Sequence, residues 1–240
     1  MAVAAEWKAA EMTRVVLDDI PLHIEMDHLL KTLSINTNSI FAQEVAGLVE
    51  IASAIGKPKV LYKQAHIDSR GEGFVVVDGV TLKSTIVQIN TQETDTVFPF
   101  VATCGTELEE WSHSVDSESC FYVDAIKQLA LDAAEVAFGQ HIEKHCNPPP
   151  TSEMNPGSIP DWRVKEQRNL FVILGDPAKD IDVRLTESCM MSPTKSISGI
   201  RYYAATKFVS CQLCSEARCP SREAPYEAEL LNRKYRLAKT

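Results

Sequence analysis

The sequence predicts an α+β fold, an antiparallel sheet flanked by helices, and three observations carry that prediction. Two amphipathic stretches, 39–56 and about 117–144, repeat their apolar residues with the helical period. Between them, Phe74-Val75-Val76-Val77, then Asp78-Gly79, then Val80-Thr81-Leu82 form a strong hairpin signal. Residues 1–100 join their strand-like runs by short turns rather than by crossover helices, which favours antiparallel pairing.

In chain order, Ser39 is placed to cap the first helix, whose Phe41, Val45, Leu48, Val49 and Ala52 share one face. Gly56, Lys57 and Pro58 stop it. Val60-Leu61-Tyr62 opens the strands, the Asp-Gly hairpin follows, and Ile86-Val87-Gln88-Ile89 reads as a further strand. The second helix begins after Asp116 or Ser117, turns Ile126, Leu129, Ala130, Ala133 and Ala137 inward, and runs to about Lys144. Pro148-Pro149-Pro150 ends it in a stiff connection. A third helix is expected over 161–174, capped by Asp161, with Val164, Leu170, Phe171 and Leu174 inward. Asp182 to Thr186 and Tyr202 to Val209 are strand candidates, and the charged stretch from Leu230 reads as a surface helix or frayed tail. Residues 1–100 are read as an N-terminal portion of the same fold, and 101–240 as its core.

Composition excludes several classes. The 240 residues carry a formal net charge of -9 with 24% charged residues, so no basic stripe is present to neutralise nucleic-acid phosphates. No apolar run approaches a membrane span, and residues 1–20 lack an apolar signal core. Seven cysteines, an odd number without such a signal, argue for reduced thiols and a cytoplasmic protein. Lys195-Ser196 lacks the glycine-rich lead of a phosphate loop. There is no G-x-S-x-G elbow, and His141 and His145 lack the glutamate and third ligand of a zincin. Glu107, Glu109 and Glu110 read as a solvated helix start, with Trp111 as a candidate docking anchor.

The densest chemical signal is Cys211, Cys214 and Cys219, spaced C-x2-C-x4-C within nine residues and followed by Pro220. Such a loop suits a soft metal or an iron–sulfur cluster. Three ligands are one short of a closed tetrahedral site. Cys104, beside Gly105 in a turn-like run, is the first candidate for the fourth, and Cys189 the second. Cys120 and Cys146 read as packed thiols at the ends of the second helix.

Leu185-Thr186-Glu187-Ser188, leading through Met190, Met191 and Pro193 to Ser196-Ile197-Ser198-Gly199, resembles the activation (reactivation) domain of cobalamin-dependent methionine synthase. Asp124 to Ala134 resembles that family's long helix, and Met154-Asn155-Pro156-Gly157-Ser158 falls where it has a P-G-Y turn. The resemblance spans roughly 100–210, with three landmarks in the same order. It implies a C-shaped α+β domain around a bent antiparallel sheet, which binds S-adenosylmethionine and docks over a corrinoid. It implies too that Asn155, Pro156, Gly157 and Ser158 line a ligand groove together with Ser196, Ser198 and Gly199.

Two departures shape the functional expectation. Where the family's turn carries an arginine toward S-adenosylmethionine, this chain has Glu153, and where it carries tyrosine, Ser158. A carboxylate there repels the ligand's own carboxylate and argues against that ligand, unless Arg163 or Arg201 substitutes. The cysteine loop is the other departure, and a corrinoid setting favours an iron–sulfur cluster over zinc. The expectation is an accessory protein that docks on a corrinoid protein or cobalamin-dependent methyltransferase. It would support reductive reactivation of cob(II)alamin, with cobalamin on the partner. A non-catalytic binding subunit with a zinc or empty cysteine site, and an S-adenosylmethionine-dependent reactivation domain, are the alternatives.

Overall fold

The computed structural model describes residues 14–150, 152–216, 218–219 and 222–236; most of the stretch read for a signal core, and the last four residues, lie outside them. After β1 (Arg14–Leu17) come α1 (Met26–Thr32) and α2 (Ile40–Ile55). Then β2 (Lys59–Lys63), β3 (Ala65–Gly71), β4 (Phe74–Val77) and β5 (Val80–Lys83) lead to α3 (Thr85–Asn90). Next are β6 (Thr96–Thr103), α4 (Thr106–Ser112), the long α5 (Cys120–His145) and β7 (Ser152–Met154). The chain closes with α6 (Gln167–Leu174), α7 (Pro177–Asp180), β8 (Arg184–Leu185), β9 (Met191–Ser192) and β10 (Ser196–Tyr202). The predicted α+β class, helices with an antiparallel sheet, is present.

β6 is the spine of an eight-stranded sheet ordered β1-β2-β6-β3-β4-β5, with β10 on the other edge of β6 and β7 beyond it. β2 covers Phe100 to Thr103 while β3 covers Thr96 and Val97, so the sheet forks at Gln64. Pro99 falls in that gap on β6, where a residue with no N–H to donate is tolerated. Every β6 residue after Thr96 is buried, because helices cover both faces. Phe98, Phe100 and Ala102 meet Ala134, Phe138 and Ile142 of α5, and Val101 meets Leu174 of α6 and Ile181.

Local chemistry explains the elements that were anticipated. Ser39 Oγ accepts the Ala42 N–H at 3.2 Å, capping α2, whose buried face is Ala42, Val45, Val49 and Ala52. Phe41, expected inward, is exposed. Asp78 and Gly79 hold the positive φ angles, 45° and 78°, that the hairpin turn demands. On α5, Ile126 and Ala130 are buried as expected, but Leu129, Ala133 and Ala137 instead line a groove of about 430 Å³ against Ile20 and Ile24.

Four expectations need correction. Ile86 to Ile89 is not a strand but lies in α3, because Ser84 Oγ accepts the Val87 N–H at 3.0 Å. Asp161 adds to that cap, taking the Thr85 and Ile86 N–H groups at 2.6 and 3.2 Å. With Asp161 so engaged, the third helix starts only at Gln167, after a 3-10 turn at Val164–Glu166. The last strand occupies Ser196–Tyr202 and ends where the second strand candidate was placed to begin. Where a surface helix or frayed tail was expected, Leu231–Tyr235 is a helical turn, and Leu230, Leu231 and Tyr235 pack into the core beside Phe208 and Leu213.

Candidate functional site

β7 and β10 bring two of the sequence-selected segments together. Their register sets Met154 against Ile200, Glu153 against Arg201 and Ser152 against Tyr202. Asn155, just past β7, donates from Nδ2 to the Ser198 carbonyl at 3.2 Å and to Glu153 Oε1 at 2.9 Å. A Cβ on Gly199 would stand 2.5 Å from Asn155 Nδ2 and 2.6 Å from the Met154 carbonyl, so only glycine permits this approach. Asn155 and Pro156 face the protein, while Gly157 and Ser158 form an exposed turn closed by the Ser158 N–H on the Asn155 carbonyl. Ser198 is buried against Gln167, and Ser196 Oγ lies 2.8 Å from both Thr103 Oγ1 and the Pro193 carbonyl. Ser198 is thus enclosed, while Ser196 stays partly exposed at the start of β10.

Charges flank the seam. Arg201 Nε donates to Glu153 Oε2 at 2.8 Å, and its guanidinium lies 4.3 Å from the Phe138 ring centroid. Both side chains are mostly buried, at 18% and 25% exposure. Glu135 of α5 sits close by. Burial first, then the Glu153 and Asp132 carboxylates, push its carboxyl up to about 7, against the opposing pull of Arg201. Glu223, from the far limb of the cysteine loop, pushes the same way. Sequence reasoning named Glu153 and Arg201 but missed Glu135, because nothing local marks one glutamate among many on an amphipathic helix.

The cysteine loop edges this region. The Phe208 N–H donates to Ser152 Oγ at 2.8 Å, and Leu213 is buried in the core, so the loop is anchored beside β7. Ser210–Leu213 form a 3-10 turn, and the Cys214 N–H donates to the Cys211 carbonyl at 3.2 Å. Arg222 gathers the loop: Nη1 donates to the Cys211 and Ala224 carbonyls at 3.1 and 3.0 Å, and Nη2 to the carbonyls of Cys214, at 3.1 Å, and Glu216. Glu223 N–H donates to Cys211 Sγ at 3.5 Å.

The expected metal set is not assembled. Cys104 is fully buried among α2, α4 and α5, its thiol pushed up to about 12, chiefly by burial. It follows Thr103, which pairs with Ser196, whereas the cysteine loop departs beyond Tyr202 at the other end of β10. Seven strand residues separate those ends by about 20 Å. Cys189, the second candidate, is buried with its sulfur 3.0 Å from Arg168 Nε. Among the described residues, no three His, Cys, Asp or Glu side chains are grouped to hold a metal ion, and no helix is long and apolar enough to cross a membrane.

Elsewhere, one acid of the supposed solvated helix start is structural. Glu109 Oε2 lies 2.5 Å from the buried Lys127 ammonium and 3.0 Å from Thr194 Oγ1. Burial alone would raise the Glu109 carboxyl, but hydrogen bonds from Lys127 and Thr194 outweigh it and hold it below the ordinary range. Trp111 is half-buried against the helices and does not stand out as an anchor.

No family model and no curated protein matches this chain. Among solved structures it is similar to the crystal structure of the MetH reactivation domain bound to AdoHcy. The TM-score is 0.60 at 12% sequence identity, covering 82% of this chain and 81% of that one. At this identity the likeness concerns the fold alone: the chain has the mixed helix and antiparallel-sheet architecture of a MetH reactivation domain.

Proposed function

We propose that this chain is an accessory protein of corrinoid-dependent methyl transfer, which docks on a corrinoid protein and supports reductive reactivation of cob(II)alamin. One observation carries the reading. On a fold shared with a reactivation domain, the Asn155 to Ser198 hydrogen bond joins Asn155–Ser158 and Ser196–Gly199 into one seam. The partner's corrinoid would supply the cobalt that is reduced and remethylated. This chain's residues would shape the contact: Gly199 lets the turn lie close to the sheet, and the Glu153–Arg201 pair fixes the charge beside it. Among the described residues the three thiols are not grouped as a metal site, so this reading does not rest on one.

An S-adenosylmethionine-type ligand would have to draw Arg201 away from Glu153 before its carboxylate gained a cation. That ion pair favours a second reading, a binding subunit with no small ligand of its own. Calorimetry with S-adenosylmethionine and S-adenosylhomocysteine separates the two. Weak binding that Glu153→Gln tightens at least about tenfold keeps the ligand in the account. Silence in both proteins at about millimolar ligand leaves the binding subunit. The shared claim is tested by adding the chain to a cob(II)alamin-loaded corrinoid module of a methionine synthase with a low-potential reductant. Faster recovery of active cobalamin supports accessory action, and an unchanged rate contradicts it.

A further inference from the structure

The cysteine loop carries features that go beyond that reading. The Cys214 N–H to Cys211 O bond closes a turn, which holds the two Cα atoms within the roughly 7 Å of a turn and inside the reach of a disulfide. Both thiols are part-exposed, unlike the buried Cys104 and Cys189. Arg222 binds the carbonyls of both residues, so the backbone frame is held by bonds that do not involve sulfur. Glu223 N–H orients the Cys211 sulfur. Cys219 is tied separately: its carbonyl accepts the Arg222 N–H at 3.3 Å.

We propose that Cys211 and Cys214 form a redox-active dithiol that exchanges with low-molecular-weight or protein disulfides, rather than a pair of metal ligands. One cysteine, as thiolate, attacks a sulfur of the incoming disulfide; the old S–S bond breaks and one substrate thiolate leaves. The second cysteine gives its proton to water and attacks the first one's sulfur, releasing the remaining substrate thiolate. The dithiol is oxidised to an intrachain disulfide, two electrons pass to the substrate, and the substrate ends as two thiols. The frame built by Arg222 and the anchors at Phe208 and Leu213 stay in place through the cycle.

The test equilibrates the full chain, prepared without oxygen, with mixtures of reduced and oxidised glutathione. Free thiols are then trapped by alkylation and mapped by peptide mass spectrometry. A single two-electron transition linking Cys211 to Cys214 is expected, with Cys104 and Cys189 alkylated only after unfolding. Cys211→Ser and Cys214→Ser should each accumulate a glutathione mixed disulfide on the remaining cysteine, which the unaltered chain resolves. The wild-type mapping stands alone if either variant fails to fold. The proposal is overturned if both thiols stay reduced at the most oxidising mixture, or if Cys219 takes the link instead. It is equally overturned if the native protein carries stoichiometric iron or zinc that shields Cys211 and Cys214 from alkylation. None of these results bears on docking to a corrinoid protein.

Discussion

Gly199 is the residue on which the seam depends most. An added methyl would meet Asn155 Nδ2 and the Met154 carbonyl well inside van der Waals range, and the carbonyl belongs to a paired strand. Gly199→Ala is therefore expected to cost about 1–3 kcal/mol in urea unfolding, by overpacking and loss of the Asn155 bond. Glu135 gives a second prediction. Its carboxyl sits at about 7 in the folded chain and near 4.5 when exposed, so folding takes up a proton between those values. Its contribution is fully present below about pH 4.5 and is lost as pH rises through about 7. Melting temperature should fall over that window more steeply in the wild type than in Glu135→Gln; parallel curves would remove the raised carboxyl. The sequence exposed Glu153 and Arg201 through motif position. It hid Glu135, because its burial, and Glu153, Arg201 and Glu223 around it, come from segments remote in sequence; Asp132 is the one neighbour on its own helix.

At the scale of elements, legibility followed how local the governing bonds were. α2 and the Asp78-Gly79 hairpin were readable because their cap and turn lie within a few residues. α3 was not, because part of its N-terminal cap is Asp161, more than seventy residues away. The same aspartate then could not start the third helix. α4 and α5 are joined through Lys127 and Glu109, at 7% and 15% exposure, in a pair that composition could not distinguish from surface charge. Lys127→Met would strand a part-buried carboxylate and is expected to cost about 3 kcal/mol by denaturant unfolding. The double replacement Lys127→Met with Glu109→Leu should recover most of that loss, which a simple packing defect would not do. The placement of Cys104 was hidden for a related reason: spacing puts three thiols in one loop, but only the sheet register shows Cys104 at the far end of β10.

Across the whole molecule, β6 draws strands from both halves of the chain into one sheet, and α5 and α6 seal its two faces. This arrangement puts the β7–β10 seam, the Glu135 carboxyl and the cysteine loop at one edge of the fold. This is the edge proposed to meet a corrinoid protein. Sedimentation velocity of the full chain with a cob(II)alamin-loaded corrinoid module tests it most directly. A one-to-one complex is expected, weakened at least about tenfold (about 1.4 kcal/mol) by Arg201→Glu in a variant with unchanged circular dichroism. Absence of a complex at about 100 µM of each protein, or a complex indifferent to that substitution, would contradict it.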